Sequence, residues 1–322
     1  MSTAAEQQPQ QAKPKASRQA FGEALAALGE KHTEVVVLDA DLAKSTKSEL
    51  FAAKFPKRFF EMGIAEQNMA GVAAGLGVSG KTAFCCSFAC FIAGRFETIK
   101  ISVAYSGANV KVVGTHAGVG IGEDGYSQMG LEDIALMRTL PTMRVFQPAD
   151  DVETAQIVEH MIVTKGPCYL RLTRQNLERV HGEGYKFAEG KLDVLAEGKD
   201  VAIVASGGPV FQAVNARKLL AAKGIDAAVI NIASVKPLDG AGLAAWAKRV
   251  PLMVTVEDHN VLGGVGGAVA EAVGDVGGAR ARVYRHGIHD VFGESGTPDA
   301  LYEKFQLDAK GIAAVVMREL AK

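Results

Sequence analysis

Glu61-Met62-Gly63-Ile64-Ala65-Glu66-Gln67-Asn68-Met69 is the stretch on which the reading of this chain turns. Arg58 to Met62 is short and apolar enough for a strand. It leads into the small residues Ala70-Gly71-Val72-Ala73-Ala74-Gly75, which predict a helix over 64–78. Glu66 stands at the start of that helix with no cation near it in sequence. Ionisable groups are rarely buried without a partner. Two readings stay open: Glu66 faces the positive end of a helix, or it is held dry to polarise a bound heterocycle.

The same strand-to-helix step recurs on both sides. Phe21 to Leu28 has helical spacing, and Val35-Val36-Val37-Leu38 is the continuous apolar run of a strand covered on both faces. Strands are expected at Thr82 to Cys86, Asn109 to Val113, Met143 to Phe146 and Cys168 to Leu172, with helices at Phe88 to Tyr105, Leu131 to Leu140 and Asp150 to Val163. A polar, Gly-rich stretch from His181 to Lys199 reads as a linker, after which the alternation restarts at Val201. The fold class expected is α/β: two consecutive domains, each a largely parallel sheet flanked by helices. The divisions are a disordered arm over 1–17, a first domain over 18–180, a linker over 181–198 and a second domain over 199–322.

Composition removes several functions. At 322 residues the chain has room for two domains, and 35 Lys+Arg against 36 Asp+Glu leave no basic field for nucleic acid or an anionic membrane. No apolar run is long enough to span a bilayer. Three of the four Cys cluster at Cys85, Cys86 and Cys90 without CxxC spacing, which points to a reducing, cytoplasmic setting.

Three further sets of residues are candidates for chemistry. Phe88 and Phe91, three apart, are either core or a wall on which a flat ring stacks. The loop from Gly114 to Gly130 carries His116, Asp124 and Gln128. Its Gly120-x-Gly122-x-x-Gly125 is not a dinucleotide fingerprint: it does not join a strand directly to a helix, and Glu123-Asp124 would repel a pyrophosphate. A metal site from His116, Glu123 and Asp124 is weakly supported, with no second His nearby. Arg18, Arg171 and Arg174 stand at strand and loop ends. Arg174 can present a fork to a phosphate, and Ser45 a hydroxyl to the same anion. Val256-Glu257-Asp258-His259 reads as structural or as a subunit contact.

Eight segments in order resemble the C-terminal half of transketolase over nearly the whole chain from Arg18. They are Asp39-Ala40-Asp41-Leu42-Ala43, Gly63 to Met69, Ser87-Phe88 with Phe91, Gly122-Glu123-Asp124-Gly125, Thr173-Arg174-Gln175-Asn176, Lys236-Pro237-Leu238-Asp239, Val256-Glu257-Asp258-His259 and Phe292-Gly293-Glu294-Ser295-Gly296. The resemblance implies a pyrimidine-binding domain followed by the transketolase C-terminal domain. It also implies a role for each site residue. Glu66 matches the glutamate that hydrogen-bonds N1′ of thiamine diphosphate and so activates the cofactor. Phe91 with Phe88 matches the aromatic wall of the pyrimidine pocket. Arg18, Ser45, His116 and Arg174 match the residues that hold the sugar phosphate, and Asp124 the contact to substrate hydroxyls. Gln128 stands where many bacterial members have His, and Tyr126 replaces a usual Pro.

The family's other half binds the cofactor diphosphate and a divalent metal through a Gly-Asp-Gly…Asn signature, and this sequence has no Gly-Asp-Gly. The expectation is a split enzyme. A separate N-terminal transketolase subunit would hold the diphosphate and a Mg or Ca ion in an α2β2 heterotetramer, and this chain would carry no metal ligand. The expected activity is two-carbon ketol transfer from a ketose phosphate to an aldose phosphate. Alternatives are a 1-deoxyxylulose-5-phosphate synthase-like chain, disfavoured by Phe91 where Arg is usual, and a 2-oxo-acid dehydrogenase β-like subunit, which needs no sugar-phosphate clamp. A catalytically silent scaffold would be expected to have lost Glu66 or the aromatic pair.

Overall fold

A computed structural model describes residues 13–182, 184–275 and 277–322. Its strands in chain order are β1 (Lys15–Ala16), β2 (Val35–Asp39), β3 (Phe59–Glu61), β4 (Thr82–Phe88), β5 (Val110–Thr115), β6 (Arg144–Phe146) and β7 (Cys168–Arg171). There follow β8 (Asn176–Leu177), β9 (Asp193–Ala196), β10 (Val201–Ala205), β11 (Ala227–Asn231), β12 (Ser234–Lys236), β13 (Leu252–Asn260) and β14 (Arg282–Ile288). A seven-stranded sheet has the order β12-β6-β7-β5-β4-β2-β3 and a five-stranded sheet the order β14-β13-β10-β11-β9. Pairing in both sheets is parallel except at one edge of each, where β12 runs antiparallel to β6 and β9 antiparallel to β11; β1 and β8 form a separate antiparallel pair. The expected two-domain α/β architecture is present.

Burial explains why these segments are strands. Every residue of β2, β4, β5 and β10 is buried, as helices on both faces require. From β2 the chain steps to β3 on one side, then crosses to β4 on the other. The crevice at the carboxyl ends of β2, β4 and β5 is where such sheets bind ligands.

Four local expectations are corrected. The stretch 88–105 is not one helix. Phe88 closes β4, a helix spans Ala89–Ala93 and stops at Gly94, a single turn follows at Phe96–Thr98, and Ile99–Tyr105 is a π-helix. The helix over 64–78 begins at Glu66. The stretch 181–198 contains β9, an edge strand of the second sheet, and a buried His181. The arm over 1–17 lies outside the described residues up to 12, but Lys15–Ala16 pairs with β8 and Ser17 opens the helix Ser17–Leu28.

The halves are interlocked. β12, from the C-terminal part of the sequence, completes the edge of the first sheet. One apolar core joins Tyr169 and Val145 of the first sheet with Val204 and Ile230 of the second. At the same boundary Arg171, fully buried, pairs with Asp133 at 2.9 Å and Asp258 at 2.7 Å. Tyr169 donates to Asp133 and Tyr302 to Asp258. Arg171 is therefore a junction between domains, not a surface cation. Gly118 (φ 78°) lets the long loop approach this junction, because a Cβ there would stand 2.1 Å from Asp258 Oδ2.

Candidate active site

Glu66 is the first residue of its helix and is buried, 6% exposed. The carboxylate accepts a hydrogen bond from the Ser87 hydroxyl, Oγ to Oε1 3.1 Å, at the carboxyl end of β4. Oε2 has no hydrogen-bond partner among the described residues. Both readings of Glu66 thus meet in one place: a helix start favours its charge, and a single protein donor leaves an acceptor for something else.

The next residue, Phe88, ends β4 in an extended conformation, so the aromatic pair is not two positions of one helix face. The rings nevertheless stack, with centroids 5.4 Å apart and planes 7° from parallel. Phe88 is buried; Phe91 is half-buried. The His116 ring also stacks on Phe88, with centroids 3.7 Å apart. Phe88 thus stacks with both Phe91 and His116, and Phe91 is the more exposed ring of the aromatic pair.

His116 follows β5 with φ 59° and is buried. It bonds Thr115 Oγ1 through Nδ1 at 2.8 Å and Arg18 Nη1 through Nε2 at 2.9 Å. Burial, then the charges of Arg18 and Arg174, push its pKa down to about 3. Thr115 Oγ1 in turn donates to the Ser87 carbonyl at 3.2 Å. Ser87 therefore connects Glu66 to the basic cluster: side chain on one side, carbonyl on the other.

Arg18 also donates to the carbonyl of Ser45 at 2.7 Å. Its Nε is buried with no partner among the described residues. Burial and the neighbouring Arg174 lower its pKa, while Asp124 opposes that shift. Arg174 donates to the Ile121 carbonyl at 2.7 Å and lies 3.6 Å from both Glu123 and Asp124. Ser45 meets the cluster through its carbonyl. Arg18, Ser45, His116, Asp124 and Arg174 are brought together. Gln128 is half-buried in the turn Tyr126–Gln128, and its side chain bonds none of them.

Three supporting residues were not assigned roles from sequence. Ser87 and Thr115 form the link just described. Asp39, buried at the end of β2, accepts from Leu42 N–H, Thr46 Oγ1 and Ser48 Oγ at 2.7–2.8 Å. It shapes the turn that carries Ser45, and burial pushes it up to about 6. The signal was an Asp at a strand end followed by hydroxyl residues. No group of three or more His, Cys, Asp or Glu among the described residues is arranged to hold a metal, and His116 with Glu123 and Asp124 do not form one.

The chain is thus a two-domain α/β protein with a buried carboxylate, an aromatic pair and a basic cluster at the strand ends. The family model for the transketolase pyrimidine binding domain matches residues 13–179, and that for the transketolase C-terminal domain matches residues 190–312. The chain belongs to the transketolase family. It is 43% identical to a putative transketolase C-terminal section of Methanocaldococcus jannaschii, over 96% of this chain and 97% of that one. It is 38% identical to a 6-deoxy-6-sulfo-D-fructose transketolase subunit of a Clostridium species, over 92% and 91% respectively. A solved split gene transketolase, described as an inactive β4 tetramer, superposes with a TM-score of 0.88 at 47% identity, over 95% of this chain and 99% of that one.

Proposed function

We propose that this chain supplies the pyrimidine side of a thiamine diphosphate site and the anion clamp of an enzyme that moves a two-carbon ketol unit from a ketose phosphate to an aldose phosphate. The observation that carries the reading is Glu66: buried, fixed by one hydroxyl through Oε1, with Oε2 unpartnered beside an aromatic wall. When bound, thiamine diphosphate supplies a carbon nucleophile able to carry the two-carbon unit. Glu66 holds or returns a proton at the pyrimidine N1′, and Ser87 keeps its carboxylate turned toward the pocket. Phe91 presents its ring to the pyrimidine, while His116 stacks on Phe88.

The clamp is argued from charge. Two guanidiniums near enough to perturb each other, one with a buried and unbonded N–H, favour a doubly charged anion between them. Asp124 balances them and accepts from a substrate hydroxyl. A second chain supplies the diphosphate ligands and a Mg or Ca ion, in an α2β2 assembly. Relatives named as a C-terminal section and as a subunit support this division. One of them is named for a sulfonated sugar, so a sulfonate belongs among the substrates assayed.

The test is reconstitution with a diphosphate-binding partner. Glu66→Ala lowers ketol transfer by at least about a hundredfold while the complex still assembles. Near-normal turnover in an intact complex sinks the assignment.

A further inference from the structure

Far from the strand ends that carry Glu66, the second domain has a cleft of about 360 Å³ between the edge strand β14 and the turn joining the helices Pro298–Lys304 and Ala309–Leu320. Its walls include Tyr284, His286, His289, Lys304, Phe305 and Arg318. Four of these six are cations or become cations on protonation.

The cleft is positive beyond what its carboxylates answer. Glu319 takes ion pairs from Arg282, Arg318 and Lys322 at 2.8–3.1 Å, so one carboxylate serves three cations. Glu294 serves Lys304. Arg285 bonds the Val261 carbonyl and no other group among the described residues, and exposed Asp290 adjoins His289 in sequence. Arg318 donates through Nη2 to Tyr284 O–H and through Nε to Glu319. Its Nη1 has no partner among the described residues.

The imidazoles are placed to join it. His286 is buried and bonds the Gln306 carbonyl through Nε2 at 2.8 Å. Because a carbonyl only accepts, that nitrogen carries the hydrogen and Nδ1 is left over. The His289 ring lies 6.0 Å away. Burial holds both rings below their usual range; the bond to the Gln306 carbonyl opposes this at His286, while His289 and Arg318 add to it there and Arg318 and Arg285 add to it at His289. An unanswered positive field in a concave wall concentrates anions. Tyr284 and Phe305 add aromatic surface for the uncharged part of such a ligand.

The geometry points to a second anion site in this cleft, one that takes a small phosphorylated metabolite on Arg318, Lys304, His286 and His289. A phosphate there accepts from Arg318 Nη1 and the Lys304 ammonium, and it draws a proton onto the facing imidazoles. This site is independent of the reading given to Glu66 and Arg174.

The test is titration of the full chain with inorganic pyrophosphate at constant ionic strength, followed by histidine-ring NMR. Saturable shifts at His286 and His289 are expected, with the affinity about tenfold weaker in Arg318→Gln. Arg318 also packs on Tyr284, so His289→Gln is measured beside it. That exposed substitution should weaken binding severalfold with an unchanged Tm. The site is overturned if neither ring responds at up to about 10 mM pyrophosphate, or if both variants bind as tightly as the parent. Shifts confined to His116 would place the anion in the first domain alone and overturn it equally.

Discussion

Arg18 Nη1 donates to His116 Nε2 across 2.9 Å, and that contact sets which imidazole nitrogen carries the proton. A guanidinium has no acceptor, so Nε2 must offer a lone pair. The hydrogen is then on Nδ1, directed at Thr115 Oγ1, which passes its own to the Ser87 carbonyl. In the free chain His116 is a neutral acceptor that aims Arg18. Its pKa, pushed down to about 3 by burial and two guanidiniums, agrees with that geometry. NMR should show this ring as the Nδ1–H tautomer with no titration between about pH 5 and 8. A midpoint near 6.5 would exclude the arrangement.

Arg174 tests the clamp separately from the chemistry. Arg174→Ala in the reconstituted enzyme should raise KM for phosphorylated sugars by about 10–100-fold, the range for losing a charge-assisted bond. The change in kcat should be smaller. An unchanged KM removes Arg174 from the clamp.

Arg171 tests the domain junction. Arg171→Ala leaves Asp133 and Asp258 buried without their cation, a change that costs about 3–5 kcal/mol. Urea unfolding of the variant should show a loss of that size. A loss under about 1 kcal/mol would mean that water reaches both carboxylates.

His181 gives a pH dependence of defined sign. The buried ring lies 2.9 Å from Asp150 in the first domain and 2.9 Å from Asp193 on β9. Burial lowers its pKa, but the bonds to Asp150 and Asp193 and the charge of Glu153 outweigh it and raise the value to about 10. The folded pKa is above the unfolded one, so the folded state holds the proton more tightly. That stabilisation is complete below about pH 6.5 and is lost as pH rises toward 10. The stability gap between the parent and His181→Asn should be a few kcal/mol at pH 6.5 and should narrow steadily by pH 9.5. A gap that stays constant or widens with pH would show that the ring is not a charged bridge.

Much of the fold was legible because its signals are local. Val35 to Leu38 and Val201 to Ala205 are unbroken apolar runs, and doubly covered strands demand nothing else. The failures have physical reasons. The helix expected over 88–105 broke because Gly94 ends its first piece and Phe88 was claimed by pairing with β5, a partner distant in sequence. Asp193–Ala196 looked like linker because an edge strand needs only one neighbour and little apolar character. β12 could not be assigned to the first sheet from its own residues, since its partner is Arg144–Phe146.

The sequence by itself determined the parts: an acid at a helix start, an aromatic pair, a polar loop, three arginines and no Gly-Asp-Gly. Residue type and local spacing carry that information. Only the tertiary structure decided what the parts face. It turned Ser87 onto Glu66, stacked His116 on Phe88, brought Arg18 beside Arg174 and buried Arg171 between two carboxylates. Those pairings join residues from 21 positions apart (Glu66 and Ser87) to 174 − 18 = 156 apart (Arg18 and Arg174), and partners so distant meet only when strands from different parts of the chain lie side by side.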